Sequence, residues 1–282
     1  MTVLISVDDL SALQERGERV RILDVRWRLD RPDGREDVAA GHIPGAVYVD
    51  LESQLAGHGD ARDGRHPLPA RDDLEGAARS WGLDDGDTVV VYDDLGGMSA
   101  ARAWWLLRHH GVQDVRILDG AFSAWRNAGL PVEEGVVVPP LGTITLVDGR
   151  APVVGVDDVA AIADRGVLVD ARAAERYAGD VEPIDPRAGH IPGAVSAPTA
   201  DNLTEDGRFR SPSELRDRFA TAGITDGDEV AVYCGSGVTA AHTIAALAVA
   251  GIDAALFPGS WSAWSNHPDR PVATGDAPGA SR

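Results

Sequence analysis

A chain of 282 residues has room for about two domains, and a composition of 44% hydrophobic and 25% charged residues is that of an ordinary globular protein. A formal charge of −19 argues against nucleic acid as a partner, and no run of 18 apolar residues is present to suggest a membrane span. The single cysteine excludes an internal disulfide and a cysteine-only metal cluster, and all 26 basic residues are arginine. Without lysine there is no Schiff-base chemistry, so an anion must be held by Arg, His or backbone N–H groups. The opening, MTVLISVDDLSALQERGER, has no basic n-region and no long apolar core. No signal peptide is therefore expected, and one free thiol suits a reducing, cytoplasmic compartment.

In chain order, the β-branched run RVRILDV (19–25) reads as a strand and is followed by AGHIPGAVYVDL (40–51). DTVVVYD (87–93) is a second strand, SAARAWWLLRHHG (99–111) an amphipathic helix, and VRILD (115–119) a third strand. The stretch EEGVVVPPLGTITLVDGRAPVV (133–154), with Pro139-Pro140, breaks the pattern. Then the order returns: strand GVLVDA (166–171), AGHIPGAVSAPT (188–199), helix SPSELRDRFATAG (211–223), strand DEVAVYC (228–234), helix TAAHTIAALAVAG (239–251), strand AALFP (254–258). A period of about 140 residues is that of two homologous domains. The expected organisation is a first domain over 1–138, a linker over 139–152, a second domain over 153–274 and a flexible tail over 275–282. Strands alternating with helices predict an α/β fold, each domain a mainly parallel sheet flanked by helices. Ligands in such sheets bind at the carboxyl ends of the strands, where Cys234 falls.

The two halves act as an internal control. Residues present in both are expected to serve the scaffold: Asp24 and Asp170, Arg26 and Arg172, His42 and His190, Tyr92 and Tyr233, Trp125 and Trp264. An Asp and an Arg two apart at a strand end should pair locally. The differences carry the chemistry. Asp93 stands in the first half where Cys234 stands in the second, and Asp30 where Arg176 stands. Glu52 and His66 occur in the first half only. After Cys234 come Gly235, Ser236, Gly237, Val238 and Thr239, with a helix expected from about Ala240. Small residues let the backbone turn its N–H groups toward the sulfur, and a helix N-terminus adds positive potential. Both favour the thiolate, the reactive form, and the same cradle could hold a persulfide. A cysteine phosphatase would need Arg six residues after the Cys, where Ala240 stands. A non-catalytic binding module should have lost the Cys.

CGSGVTA after a strand, two GHIPGA segments, DARAAERY and the paired SAW endings resemble the tandem-domain rhodanese family of sulfurtransferases. The resemblance covers nearly the whole chain. It implies two rhodanese-like domains, the second alone active, and a ping-pong reaction without cofactor or metal. Cys234 would take sulfur from a small anionic donor and pass it as a persulfide to cyanide, a thiol or a thioredoxin-like acceptor. Members preferring thiosulfate carry Arg and Lys directly after the Cys. Here Gly235 and Ser236 are neutral, and the loop resembles that of the 3-mercaptopyruvate sulfurtransferases. The resemblance implies Arg176 as a carboxylate ligand, although Glu175 replaces the usual Gly. Arg187 is a second candidate, because Asp185 lies near the family's other Arg position. It also implies a proton relay of Ser236, His66 and, where the family has Asp, Glu52. A loop without its own cation should favour 3-mercaptopyruvate. Gly235→Arg with Ser236→Lys should then move preference toward thiosulfate.

Overall fold

The computed structural model describes residues 2–279. They form two compact units. The first comprises residues up to Gly57, Leu68–Ala151 and Glu205–Phe209; the second comprises His58–Pro67, Pro152–Thr204 and the chain from Arg210 onward.

In the first unit the order is β1 (Leu4–Ile5), α1 (Val7–Glu15), β2 (Val20–Asp24), α2 (Arg35–Ala40), β3 (Val47–Tyr48), α3 (Leu51–Gln54), α4 (Arg71–Ser80), β4 (Thr88–Tyr92), α5 (Ala100–His109), β5 (Val115–Leu118) and α6 (Ala121–Asn127). Its five strands form a parallel sheet in the order β1-β5-β4-β2-β3. The second unit contains α7 (Val159–Arg165), β6 (Val167–Asp170), α8 (Ala174–Ala178), β7 (Val195–Ser196), a 3₁₀ turn (Thr199–Asn202), α9 (Pro212–Thr221), β8 (Val230–Tyr233), α10 (Val238–Val249), β9 (Ala255–Leu256) and α11 (Ser260–Ser265). Its four strands are again parallel, in the order β7-β6-β8-β9. A lone parallel bridge, Val153 to Leu256, stands where β1 stands in the first unit.

The central strands β4 and β8 are buried runs of Val, Ala and Tyr, as a sheet covered on both faces requires. Strand β1, strand β3 and strand β7 have two residues each, too short for any hydrophobic period to reveal. Helix α9 starts at a Ser211–Glu214 capping box with Pro212 at its first position, a strong local start signal. Helix α10 is apolar nearly all round and buried along most of its length, which makes it the second unit's inner helix.

The repeated residues bind the scaffold in both units. Asp24 and Arg26, and Asp170 and Arg172, form ion pairs at 2.7 and 2.6 Å. The hydroxyls of Tyr92 and Tyr233 accept from the N–H groups of Ile43 and Ile191, both at 3.1 Å. His42 and His190 are buried with Nδ1 on the carbonyls of Val38 and Tyr177. Trp125 and Trp264 donate to the carbonyls of Pro131 and Pro271. Of the residues from 275 onward, Gly275 donates to the Ala178 carbonyl and Pro278 accepts from the Gly193 N–H. Residues 280–282 of the expected tail lie outside the described residues.

Candidate active site

Strand β8 ends at Tyr233, and Cys234 follows as the first residue of the turn into α10. That helix begins at Val238, two residues earlier than its composition suggested, so the turn is only Cys234 to Gly237. Gly237 has φ +81°, and a Cβ there would lie 2.5 Å from the Pro258 carbonyl oxygen. Only glycine meets both conditions. The turn brings the Gly237 N–H to 3.1 Å from Cys234 Sγ. Val238 is buried as the first helical residue, and the Thr239 carbonyl accepts from the Thr199 hydroxyl.

The start of α11 supports the turn from beneath. Ser260, with a strained φ of +55°, accepts the Cys234 N–H in its Oγ at 3.1 Å and donates to the Phe257 carbonyl. The N–H groups of Trp261 and Ser262 donate to the carbonyls of Cys234 and Gly235. The first unit repeats the strain at Ala121, so the backbone shape belongs to the scaffold. The hydroxyl of Ser260 is what the second unit adds.

The first unit also indicates what such a turn can hold. Asp93, at the position of Cys234, accepts from the N–H groups of Leu95, Gly97, Ser99 and Ala100 at 2.7 to 3.0 Å. It is a buried carboxylate enclosed at the N-terminus of α5. Burial pushes the Asp93 pKa up, against the pull of these N–H groups, so the repeated architecture aims a cluster of donors at whatever group stands at the strand end. In the second unit, that place belongs to the thiol.

Ser236 and His66 come together, with Oγ 2.8 Å from Nδ1 and both residues buried. His66 lies in the segment His58–Pro67, which belongs to the second unit despite its place in the first half of the sequence. Glu52 lies in the first unit, on α3, where its Oε1 accepts from Trp27 Nε1 at 2.7 Å.

Arg176, on α8, donates to Glu182 at 2.7 Å and to Asp185 at 3.4 Å. Arg187, the second arginine expected to hold the donor, is engaged elsewhere. Its guanidinium donates to the carbonyls of Trp264, Ser265, His267 and Arg270, at 2.7 to 2.9 Å. Four charge-assisted bonds to main chain tie the loop before His190 to the end of α11 and the segment after it. The Arg187 carbonyl completes the lock by accepting from Trp261 Nε1.

A cation that sequence reasoning missed stands close by. Arg65 pairs with Asp185, and its backbone N–H donates to Ser262 Oγ. A Cβ on Gly235 would come within 3.1 Å of Arg65 Nη2 and 3.3 Å of Arg176 Nη1. Two guanidiniums thus flank the residue after the cysteine. The Gly235→Arg, Ser236→Lys exchange would push a third and a fourth cation into this space and remove the His66 partner. Asp185 is buried; desolvation pushes its pKa up, against the pull of Arg65 and Arg176. The signal for Arg65 was the dipeptide Arg65-His66 itself, in a segment with no counterpart in the second half to compare.

The Rhodanese-like domain family matches residues 6–128 and 156–267. SseB of Mycobacterium tuberculosis, provisionally named a thiosulfate sulfurtransferase, is 49% identical over 98% of this chain and 98% of its own. A protein of Pseudomonas aeruginosa named a probable 3-mercaptopyruvate sulfurtransferase is 45% identical over 90% of this chain and 92% of its own. The crystal structure of SseA from Escherichia coli, one of the 3-mercaptopyruvate sulfotransferases with the rhodanese fold, superposes with a TM-score of 0.82 at 34% identity. That match covers 93% of this chain and 99% of SseA. With two repeats of one parallel α/β architecture and a cysteine turn in the second alone, the chain belongs to the rhodanese-like family as a tandem of two such domains.

Proposed function

We propose that this chain is a sulfurtransferase that takes sulfur from 3-mercaptopyruvate. The observation that carries this is the buried Cys234 Sγ in the turn before α10, facing the Gly237 N–H, with Arg176 beside the next residue. In the first half-reaction the thiolate attacks the donor's mercapto sulfur. The sulfur–carbon bond breaks, its electron pair goes to carbon as pyruvate enolate, and a proton then joins that carbon. Cys234 is left as a persulfide. An acceptor thiolate or cyanide next takes the outer sulfur and returns the Cys234 thiolate. Arg176 holds the donor carboxylate; Gly235 and Gly237 leave room for the outer sulfur, and the first-turn N–H groups of Val238 and Thr239 favour its charge. Ser236 and His66, in hydrogen-bond contact, carry the proton. The third place in the relay, Glu52, rests on correspondence with the family alone.

The acceptor is a thiol, a thioredoxin-like protein or cyanide, and the compartment is the cytoplasm. Among the described residues no helix is long and apolar enough to cross a membrane.

Side-by-side kinetics with 3-mercaptopyruvate and thiosulfate test the reading. The wild type should show the higher kcat/KM with 3-mercaptopyruvate. Arg176→Ala should lose about 1.5–3 kcal/mol of transition-state binding for that donor, roughly tenfold to a hundredfold or more in kcat/KM. A tenfold preference for thiosulfate, or an indifferent Arg176→Ala, would refute the donor assignment.

A further inference from the structure

Three arginines and three carboxylates are interlocked beside the cysteine turn: Arg65, Arg172 and Arg176 with Asp170, Glu182 and Asp185. Their charges cancel. An incoming anion therefore meets a neutral cluster unless one carboxylate yields. The roles within the cluster are unequal. Arg172 is wholly committed: to Asp170, to the Gly189 carbonyl and to Glu182. Glu182 is fixed by the N–H groups of Ile184 and Asp185 as well as by Arg176. Among the described residues the Asp185 carboxylate has only arginine partners, Arg65 at one oxygen and Arg176, at 3.4 Å, at the other.

Arg65 and Arg176 each use one terminal nitrogen for these carboxylates and turn the other toward Gly235. The Nε of each is buried and has no hydrogen-bond partner among the described residues. Buried N–H donors without acceptors are rare in proteins. A cleft of about 470 Å³, lined in part by Gly64, Arg65, Asp185 and Ser262, opens onto the Arg65–Asp185 pair.

We infer that Arg65 is a donor-binding residue, a second guanidinium facing Arg176 across Gly235, and that Asp185 is the resident counter-ion whose place the donor's anionic group takes. The inference rests on Cys234 being the sulfur carrier. It explains how a turn with no cation of its own receives an anionic donor: the charge comes from the segment that also carries His66. It further assigns Gly235 a purpose, since any side chain there would occupy the gap between the two guanidiniums.

Kinetics with 3-mercaptopyruvate and with thiosulfate on Arg65→Ala, Arg65→Gln and Asp185→Asn, alongside thermal melts, test it. Arg65→Ala should raise KM about tenfold for the mono-carboxylate donor and more for dianionic thiosulfate, with kcat within about twofold of wild type. Asp185→Asn should lower the KM for thiosulfate, because two guanidiniums lose their competitor. If Arg65→Ala melts early, Arg65→Gln, which keeps the stem and loses the charge, decides by the same KM increase. Unchanged KM values in the Arg65 variants would overturn the inference. So would a loss confined to kcat, which would mean that Arg65 acts only by positioning His66. Asp185→Asn raising both KM values would mark Asp185 as a structural strut and overturn its assigned role. Failure of the Cys234 reading looks different: the wild type would then transfer sulfur from neither donor.

Discussion

Cys234→Ser should reduce sulfur transfer to background while the protein stays folded. An alcohol oxygen cannot carry a sulfane sulfur, so the first half-reaction has no product to hand on. The exchange itself is mild. Sγ is buried, and its contact with the Gly237 N–H is one that a serine oxygen can also accept. The backbone of the turn is held from elsewhere, by Ser260 Oγ on the Cys234 N–H and by the Trp261 and Ser262 N–H groups on the following carbonyls. None of these involves the sulfur. Mass spectrometry after exposure to donor should find one added sulfur on the wild-type peptide containing Cys234 and none on the variant. Substantial turnover by Cys234→Ser would place the chemistry on another residue, and since this is the only cysteine in the chain, it would remove persulfide transfer altogether.

What could be read in advance depended on repetition. The long central strands and the helices after them carried periodicity in both halves, and the Asp–Arg pairs, the paired tyrosines and the paired histidines declared themselves as scaffold by appearing twice. The two-residue strands carried no period. Positions compared between halves also hid whatever had no counterpart. Arg65 lies in a segment present in one half only, and its partner Asp185 lies in another. Neither spacing nor composition says that the two meet. Arg187 shows the opposite difficulty: an arginine near a family site looks like an anion ligand, while its four main-chain carbonyl partners are visible only once the chain is folded. The early start of α10 has a similar origin. Gly237 takes a left-handed conformation that ends the turn at once, and a Gly-Ser-Gly string does not disclose which glycine will do so.

Arg172→Ala should destabilise the second unit by about 3–5 kcal/mol, the range for removing one partner of a buried ion pair. Both residues are almost fully buried, and deletion leaves the Asp170 carboxylate without its cation in a place water does not reach. The Gly189 carbonyl and Glu182 lose a donor as well. The guanidinium lies 4.6 Å over the Trp261 ring, so packing is lost with charge. Burial works against the Arg172 cation, yet its pKa is raised, because Asp170 more than offsets the desolvation. Arg26, with the same carboxylate two residues before it in the first unit, is the control. Arg26→Ala should be destabilising too, and in a unit that has no cysteine. Urea unfolding followed by far-UV circular dichroism reads both. Arg176, whose guanidinium reaches the gap beside Gly235, gives the contrast: Arg176→Ala should change donor KM with a much smaller change in unfolding midpoint. If Arg172→Ala instead kept its midpoint and lost donor binding, while Arg176→Ala did the reverse, then appearing twice in the chain would be no mark of scaffold. The separation of structure from chemistry in the second unit would have to be redrawn.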